Sequence, residues 1–307
     1  MNRRSKSRAW ALALAALTLL GTVFQAPPAS AQQRKNHAID VLARHGTAVG
    51  FITNSLAAPG TYEQLREVPG LDWVFIDMEH GPFDPSQVRN IIAAFRRADG
   101  SFPVTPLFRI PANCSEVDKN QWLFKQVLDG GAFGVIVPHC DERKDVEAGA
   151  AAMRYPPFRH DPAPKPRGVR GAGGAPAAWG LSFAQYVQVA DLWPLDRQGE
   201  LLYVPMVESR DVIRKLHSIL DVPGVGALFI GPSDLHADMG YAGQSGVPEV
   251  EVEIQRALRA GLREGVAMGI TTSAADAQQR IDQGFRFITV GAASPAALAV
   301  IIAGLRR

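Results

Sequence analysis

Cysteine is scarce in this sequence, with only two among 307 residues. So low a content excludes a small scaffold stapled by disulfides, and the chain is long enough to bury a large apolar core without covalent help. Phosphate-binding loops are also missing, since neither G-x-G-x-x-G nor G-x-x-x-x-G-K-[ST] follows a strand-like run. Their absence argues against a doubly wound nucleotide-binding sheet, which is the second choice of fold.

Long apolar runs are absent beyond the N-terminus. Residues 10–24 form an uncharged, largely apolar stretch that follows four basic residues and precedes Pro27-Pro28 and Ala29-Ser30-Ala31. This order is typical of a secretory signal peptide, here residues 1–31, cleaved after Ala31. A membrane anchor is less favoured because the run falls short of the roughly 20 residues that span a bilayer. We therefore expect an exported protein, periplasmic or secreted, with no membrane partner after cleavage.

An excess of charge of either sign is likewise lacking. Removal of the leader takes away four basic residues and no acidic ones, which changes the formal net charge from +2 to −2. A nearly neutral chain provides no electrostatic footprint for nucleic acid or another polyanion. We therefore expect small-molecule partners.

The rest of the chain alternates strand-like apolar runs with helical patterns. The strand-like runs are 47–54, 73–78, 104–110, 134–138, 202–208, 226–231, 267–272 and 286–291. The clearest helical stretches are 86–98, 117–128, 141–153, 211–220, 249–264, 274–283 and 295–305. The strand-like runs are continuously apolar, as in parallel sheets covered on both faces. The pattern predicts an α/β protein with a single (β/α)8 TIM barrel over residues 32–307.

One segment, residues 154–180, is too rich in proline and glycine for regular structure and too long for an ordinary connection. Its composition is compatible with a lid, an oligomer contact or a flexible surface excursion. Arg167 and Arg170 would suit an anionic ligand if the segment closed over one.

Polar residues follow several predicted strands at their C-terminal ends, where TIM barrels carry their active sites. They are Asp77, Glu79 and His80 after the second strand, Arg109 after the third, His139 after the fourth, Glu208 after the fifth, and Ser233 and Asp234 after the sixth.

These residue types together predict enolate chemistry. Glu208 and Asp234 offer oxygen ligands suited to Mg²⁺ or Mn²⁺, although Asp234 alone would also serve as a helix cap. Arg109 supplies a fixed fork for a carboxylate or an enolate oxygen. His80 is able to move a proton near neutral pH.

Six stretches give the chain a family resemblance. They are "FIDMEHGP" (75–82), "FRIP" (108–111), "KQVLDGGAFGVIVP" (125–138), "RYPPF...RG" (154–171), "PMVES" (205–209) and "LFIGPSDLHADMG" (228–240). In this order the chain resembles the HpcH/HpaI aldolase and citrate lyase family of metal-dependent class II pyruvate aldolases. The resemblance implies a barrel of the phosphoenolpyruvate/pyruvate type, assembled as trimers or hexamers. It also implies reversible cleavage of a 4-hydroxy-2-oxo acid to pyruvate and an aldehyde.

The resemblance also implies a role for individual residues. It implies that Glu208 and Asp234 bind a divalent metal, Mg²⁺ or Mn²⁺ with Co²⁺ as a further option. It implies that His80 is the catalytic base, that Arg109 binds the pyruvyl oxygen and that Asp129 orients the histidine. Asp77 would be a further acid of the pocket, and the substrate would contact Gly231, Pro232 and Ser233.

Some features depart from the family pattern and leave alternatives open. Met206 stands where many members carry a glutamine, so one hydrogen bond to the metal shell or substrate is missing. A citrate- or malyl-thioester lyase, or an exported protein that binds an oxo acid without turnover, are the alternative functions. In an oxidising compartment, Cys114 and Cys140 are compatible either with a disulfide or with two free thiols.

Overall fold

Eight parallel strands close into a barrel in the computed structural model, which describes residues 34–159 and 164–307. The strands are β1 (Ala48–Asn54), β2 (Trp73–Asp77), β3 (Thr105–Arg109), β4 (Gly134–Val137), β5 (Leu202–Val207), β6 (Ala227–Ile230), β7 (Ala267–Thr272) and β8 (Phe287–Val290). Each pairs with its neighbour in sequence, and β8 pairs with β1. The predicted TIM barrel is confirmed, with every strand within one residue of its expected bounds. The predicted signal peptide, residues 1–31, lies outside the described residues.

Helices connect the strands. They are α1 (His37–Ala43), α2 (Thr61–Arg66), α3 (Ser86–Phe95), α4 (Val117–Asp129), α5 (Arg143–Met153), α6 (Pro176–Trp179), α7 (Phe183–Val189), α8 (Arg210–Arg214), α9 (His217–Leu220), α10 (Pro232–Asp238), α11 (Pro248–Glu264), α12 (Ala277–Gln283) and α13 (Pro295–Ala303). The single helix expected at 211–220 is two short helices, α8 and α9. In the part of the chain that the structure describes, no helix is long and apolar enough to cross a membrane.

Aromatic side chains fill the barrel interior. Trp73 of β2 stacks on Phe287 of β8 with ring centroids 3.9 Å apart, and Phe75 meets Phe229 of β6 edge-on at 5.8 Å. Because β2 and β6 are not neighbours in the sheet, these contacts cross the barrel and identify the inward-facing positions. Gly50 of β1 makes room for this layer, since a Cβ there would lie 2.4 Å from Trp73 Cε2.

The N-terminal ends of the strands are closed by α1 and its cap. The side chain of Asn36 accepts a hydrogen bond from Ile39 N–H and so caps α1. Its Nδ2 donates to the carbonyls of Phe133 and Glu200, which lie just before β4 and β5. With this end covered, the C-terminal ends of the strands form the open mouth of the barrel.

Residues 164–180 of the proline- and glycine-rich segment pack at the covered end of the barrel. Its short helix α6 ends at Trp179, which stacks on Phe133 with centroids 4.3 Å apart and donates to the Gly131 carbonyl. Arg170 is buried and donates to Tyr186 Oη and to Asp129 Oδ1. Arg170 is therefore bound inside the protein, and the expectation that it closes over an anionic ligand is wrong.

Both cysteines are free thiols and both are buried. Cys114 begins a short 3₁₀ turn before α4, and Cys140 follows β4. Of the two alternatives, the structure has the pair of free thiols.

We predict that Gly50→Ala destabilises the barrel. The added methyl group would overlap the indole of Trp73, and such overpacking of a core costs about 1–3 kcal/mol of unfolding free energy. Urea denaturation measures the loss. Gly171→Ala is the matched control, because its Cβ would meet only Lys125 Cδ, at 3.8 Å, and should change stability by no more than about 0.5 kcal/mol. Equal stability of the two variants would show that the interior layer tolerates the methyl group.

Candidate active site

The polar residues at the mouth continue the inward-facing positions of the barrel. Asp77 lies two residues after Phe75 on β2, and Gly231 lies two residues after Phe229 on β6. Side chains alternate between the two faces of a strand, so both positions face the barrel axis one layer above the aromatic rings. Arg109 belongs to the same layer, because its guanidinium carbon lies 5.1 Å from the centre of the Phe75 ring.

Arg109 is held by two carboxylates from the neighbouring strand end. Its Nε donates to Asp77 Oδ1 at 2.9 Å and its Nη2 to Asp77 Oδ2 at 2.7 Å, a bidentate pair. Its Nη1 lies 2.7 Å from Glu79 Oε2 and 3.9 Å from the Met206 sulfur. Asp77 takes the Nε hydrogen and one Nη2 hydrogen, and Glu79 and Met206 lie against Nη1, so the second Nη2 hydrogen remains for a substrate oxygen.

Asp77 also fixes the turn that carries the histidine. Its Oδ1 accepts the backbone N–H groups of Glu79 at 3.0 Å and of His80 at 3.4 Å. Burial acts to raise the pKa of Asp77, but the hydrogen bonds and the charge of Arg109 outweigh it and hold that pKa below its ordinary value. Asp77 is therefore ionised near neutral pH and orients both Arg109 and His80.

His80 stands at the rim of the mouth, with 63% of its side chain exposed. Its Nε2 lies 3.7 Å from Glu79 Oε2, so the two side chains form a loose pair. Glu79 itself is half-buried, and burial raises its pKa, with Arg109, His80 and His139 acting in the opposite direction. His80 is thus free to meet a ligand, with a carboxylate behind it.

Glu208 is the most deeply buried acid of the site, at 3% exposure. Its Oε2 accepts the backbone N–H of His139 at 2.7 Å. Its Oε1 is buried and has no hydrogen-bond partner. Gly231 leaves the space for this oxygen, since a Cβ at residue 231 would lie 2.3 Å from it. Oε2 of Glu208 is therefore hydrogen-bonded, whereas Oε1 has no hydrogen-bond donor.

The charge on Glu208 is unfavourable without a counter-ion. The pKa of this carboxyl is raised to about 7, chiefly by burial and further by the nearby Asp234 and Glu79, against the lowering effect of the N–H and imidazole of His139. A buried carboxylate with an unpartnered oxygen and a second carboxylate nearby is a donor set that a hard divalent cation would satisfy. Glu208 and Asp234 therefore fit the ligand role that the sequence predicts for them.

Asp234 and its neighbours lie on α10. Gly231 precedes the helix, Pro232 occupies its first position, and Asp234 lies in its first turn. Ser233 is exposed and Pro232 is partly exposed. Within residues 34–159 and 164–307, no three His, Cys, Asp or Glu side chains surround a common point that would hold a metal ion. Two protein carboxylates would thus leave most coordination positions to water and substrate.

Asp129 does not join the other site residues within one chain. It is the last residue of α4, and its Oδ1 accepts a hydrogen bond from the buried Arg170 at 3.1 Å. That pair adjoins Tyr186 and Trp179 at the covered end of the barrel. Its role in orienting His80 stays a prediction, and nothing inside a single chain brings the two residues together.

Two residues enter the site without an assigned role from sequence. Glu79 had a local signal, because it lies between Asp77 and His80 and follows the strand next to Arg109. His139 follows β4 and places Nδ1 3.4 Å from Glu208 Oε2 and Nε2 3.9 Å from Glu79 Oε1. The position of His139 at a strand end also indicated a site residue. Its backbone conformation, which directs the N–H at Glu208, could not be predicted from the sequence.

A closed parallel barrel with carboxylates, an arginine and histidines at its C-terminal mouth is the arrangement of an enzyme active site. Residues 56–298 match the family model for HpcH/HpaI aldolase/citrate lyase. The chain belongs to this family and is a lyase of the aldolase type.

Individual relatives give the same assignment. A hydroxypyruvate/pyruvate aldolase of Agrobacterium fabrum is 38% identical over 230 residues, which cover 75% of this chain and 77% of the relative. A 4-hydroxy-2-oxo-heptane-1,7-dioate aldolase of Shigella flexneri is 33% identical over 232 residues, 74% of this chain and 77% of that protein. The crystal structure of an HpcH/HpaI aldolase/citrate lyase family protein from Burkholderia cenocepacia aligns with a TM-score of 0.71 and 31% identity, covering 86% of this chain and 96% of the other.

We predict that Glu208→Gln stabilises the metal-free protein at alkaline pH. The folded-state pKa of Glu208 is raised from 4.5 to about 7, so stability is lost as pH rises from about 4.5 through 7. At pH 8 the amide should add up to about 3 kcal/mol to the unfolding free energy, because it removes a buried unpaired charge. At pH 4.5 the two proteins should differ little. Urea unfolding with chelator at both pH values measures this difference.

The matched control is Glu253→Gln, which changes a buried glutamate on α11 that already lies near Arg210 and Arg256. That variant should be no more stable than the parent at pH 8, because its charge has cationic partners. A Glu208→Gln protein that is less stable than the parent at pH 8 would contradict the unpaired burial of Glu208.

Proposed function

We propose that this protein is a divalent-metal-dependent aldolase that reversibly cleaves a 2-oxo acid. One of the two cleavage products is pyruvate or hydroxypyruvate, and the other is an aldehyde. The observation that carries the proposal is the bare, buried Oε1 of Glu208, placed beside Gly231 at the mouth of an aldolase-family barrel. The Agrobacterium fabrum relative, described as a hydroxypyruvate/pyruvate aldolase, supports the choice of small 2-oxo acid.

Glu208 and Asp234 are the residues that would hold the cation, with Mg²⁺ or Mn²⁺ as the best match to two carboxylate ligands. The bound cation supplies a Lewis acid that polarises a 2-oxo acid and lowers the pKa of the adjacent carbon acid. His139 fixes the second oxygen of Glu208, so the carboxylate presents Oε1 alone to the site.

Arg109 is the residue that would stabilise the charge of a developing enolate oxygen. Asp77 locks its guanidinium in place before substrate arrives, so little reorganisation is needed at the moment of reaction. The Met206 sulfur contributes only a weak acceptor to this arginine, where a glutamine amide would add a donor and an acceptor. We therefore assign a substrate oxygen to the Nη2 hydrogen that Asp77 does not use.

His80 is the residue that would move the proton between the carbon acid, or the aldehyde oxygen, and solvent. Its exposure at the rim allows exchange with water, and the Asp77 carboxylate fixes its main chain. Glu79 lies behind the ring, with its Oε2 3.7 Å from His80 Nε2. The role as base follows from this position and from the chemistry of imidazole.

The thioester-lyase alternative loses one of the two arginines that supported it. A coenzyme with several phosphates needs cationic groups near the mouth, and Arg170, one of the two candidate arginines, is buried against Asp129 and Tyr186 at the covered end of the barrel. Arg167 is exposed and remains a candidate cation for that coenzyme, so the aldolase is the better supported of the two enzymatic functions. Trimeric or hexameric assembly and export from the cytoplasm also belong to the proposal.

We predict that the purified protein exchanges the methyl protons of pyruvate with D₂O in the presence of Mn²⁺ or Mg²⁺. Exchange reports the enolate directly and needs no knowledge of the aldehyde. Chelator should abolish it, Glu208→Gln should lower its rate by at least about 100-fold, and His80→Ala by about 100- to 10,000-fold, the usual contribution of a general base. Proton NMR of the methyl signal over time measures all four conditions.

His217→Ala is the matched control for His80, because this histidine is exposed on α9 and paired with Glu264 away from the mouth. It should exchange like the parent. Metal binding without any exchange, by contrast, would reject the aldolase and leave an oxo-acid-binding protein.

We also predict that the protein loses its first 31 residues on export. Expressed in a Gram-negative host, it should appear in the periplasmic fraction with Gln32 at its N-terminus, because cleavage follows the small residues Ala29-Ser30-Ala31. Intact-mass measurement of the fractionated protein identifies the terminus. A full-length chain in the cytoplasm would contradict the proposed location.

A further inference from the structure

The backbone at His139 has a conformation that histidine rarely adopts. Its φ is +50°, and among the described residues the only other non-glycine with positive φ is His45, at +61°. For a residue with a Cβ this left-handed conformation is unfavourable and persists only where the surroundings enforce it. His45 follows α1 at the covered end of the barrel, whereas His139 lies at the mouth.

The turn at His139 is anchored to β5, the strand that leads into Glu208. Cys140 N–H donates to the Met206 carbonyl at 3.0 Å, and Cys114 N–H donates to the Pro138 carbonyl at 3.0 Å. Both neighbours of residue 139 are therefore fixed by backbone hydrogen bonds. The left-handed residue between them turns its own N–H out of the sheet ladder and towards the side chain of Glu208.

The two carboxylate oxygens of Glu208 therefore have different surroundings. Oε2 accepts the His139 N–H at 2.7 Å, a charge-assisted bond of ordinary short length. Oε1 is left buried and without a partner against Gly231. Without the backbone bond from residue 139, rotation of the carboxylate would be opposed only by packing and by the His139 imidazole, whose Nδ1 lies 3.4 Å from Oε2.

We infer that His139 is a positioning residue that acts through its backbone: its left-handed turn holds Oε2 of Glu208 so that Oε1 is directed at the divalent cation. The inference rests on the proposed metal role of Glu208. Outer partners of metal ligands commonly change metal affinity by about 10- to 100-fold, and here that partner is a main-chain N–H whose direction depends on φ.

A matched pair of variants separates the backbone from the imidazole. His139→Gly and His139→Val both remove the ring, but glycine adopts φ of +50° without strain, whereas the β-branched valine opposes it. Mn²⁺ affinity is read from the EPR signal of the free ion during titration of the purified protein, without any assay of turnover. We expect the glycine variant to stay within about threefold of the parent and the valine variant to bind about 10- to 100-fold more weakly.

His45→Val is the control for strain alone. It introduces the same β-branched residue at the other left-handed histidine, so it should lower the melting temperature as His139→Val does. Because His45 lies at the covered end of the barrel, its Mn²⁺ affinity should equal that of the parent. If His139→Val does not fold, His139→Ala takes its place, since alanine also disfavours positive φ but is smaller.

Equal Mn²⁺ affinities of the His139→Gly and His139→Val proteins, whether both strong or both weak, would overturn the inference. Weak binding by both would assign the role to the imidazole, and strong binding by both would leave the turn without a role. Glu208→Gln distinguishes this from failure of the proposed function. A parent that does not bind Mn²⁺, or that binds it no better than Glu208→Gln, would instead reject the metal role itself.

Discussion

The active site depends on one unfavourable burial, that of the Glu208 carboxylate. Only its Oε2 has a hydrogen-bond donor, from the His139 backbone, and its Oε1 is enclosed against Gly231 without a partner. A buried charge in this state costs free energy, as its pKa of about 7 indicates, until a cation or a proton arrives. The protein thus gives up stability at its active site, a trade-off common at functional sites.

A second charge network surrounds Arg109 at the ends of β2 and β3. Arg109 is held by the two hydrogen bonds that it donates to Asp77, and it lies 2.7 Å from Glu79 and above the ring of Phe75. The network is possible because β2 and β3 pair with Asp77 opposite Arg109 in the register. The barrel thus places a fixed arginine at the end of β3 and a buried carboxylate just after β5, with the Phe75 ring beneath the arginine. This arrangement is what electrostatic stabilisation of an enolate requires.

The sequence predicts the strands and most of the mouth because both follow from local rules. Continuous apolar runs identify the strands, and polar residues at their ends identify Asp77, His80, Arg109, Glu208 and Asp234. The position of Asp129 and Arg170 could not be predicted, because their ion pair joins α4 to a segment whose proline and glycine content gives no periodic signal. The left-handed turn at His139 could not be predicted either, because it is imposed by hydrogen bonds with two other elements and not by the residue itself.

Anomalous diffraction at the manganese edge, from crystals grown with Mn²⁺ and pyruvate, tests the central claim most directly. The account predicts one peak at the barrel mouth, at about 2 Å from Glu208 Oε1 and within ligand distance of Asp234, with Oε2 still bonded to the His139 N–H. A mouth without manganese, or a peak whose protein ligands do not include Glu208, would contradict it.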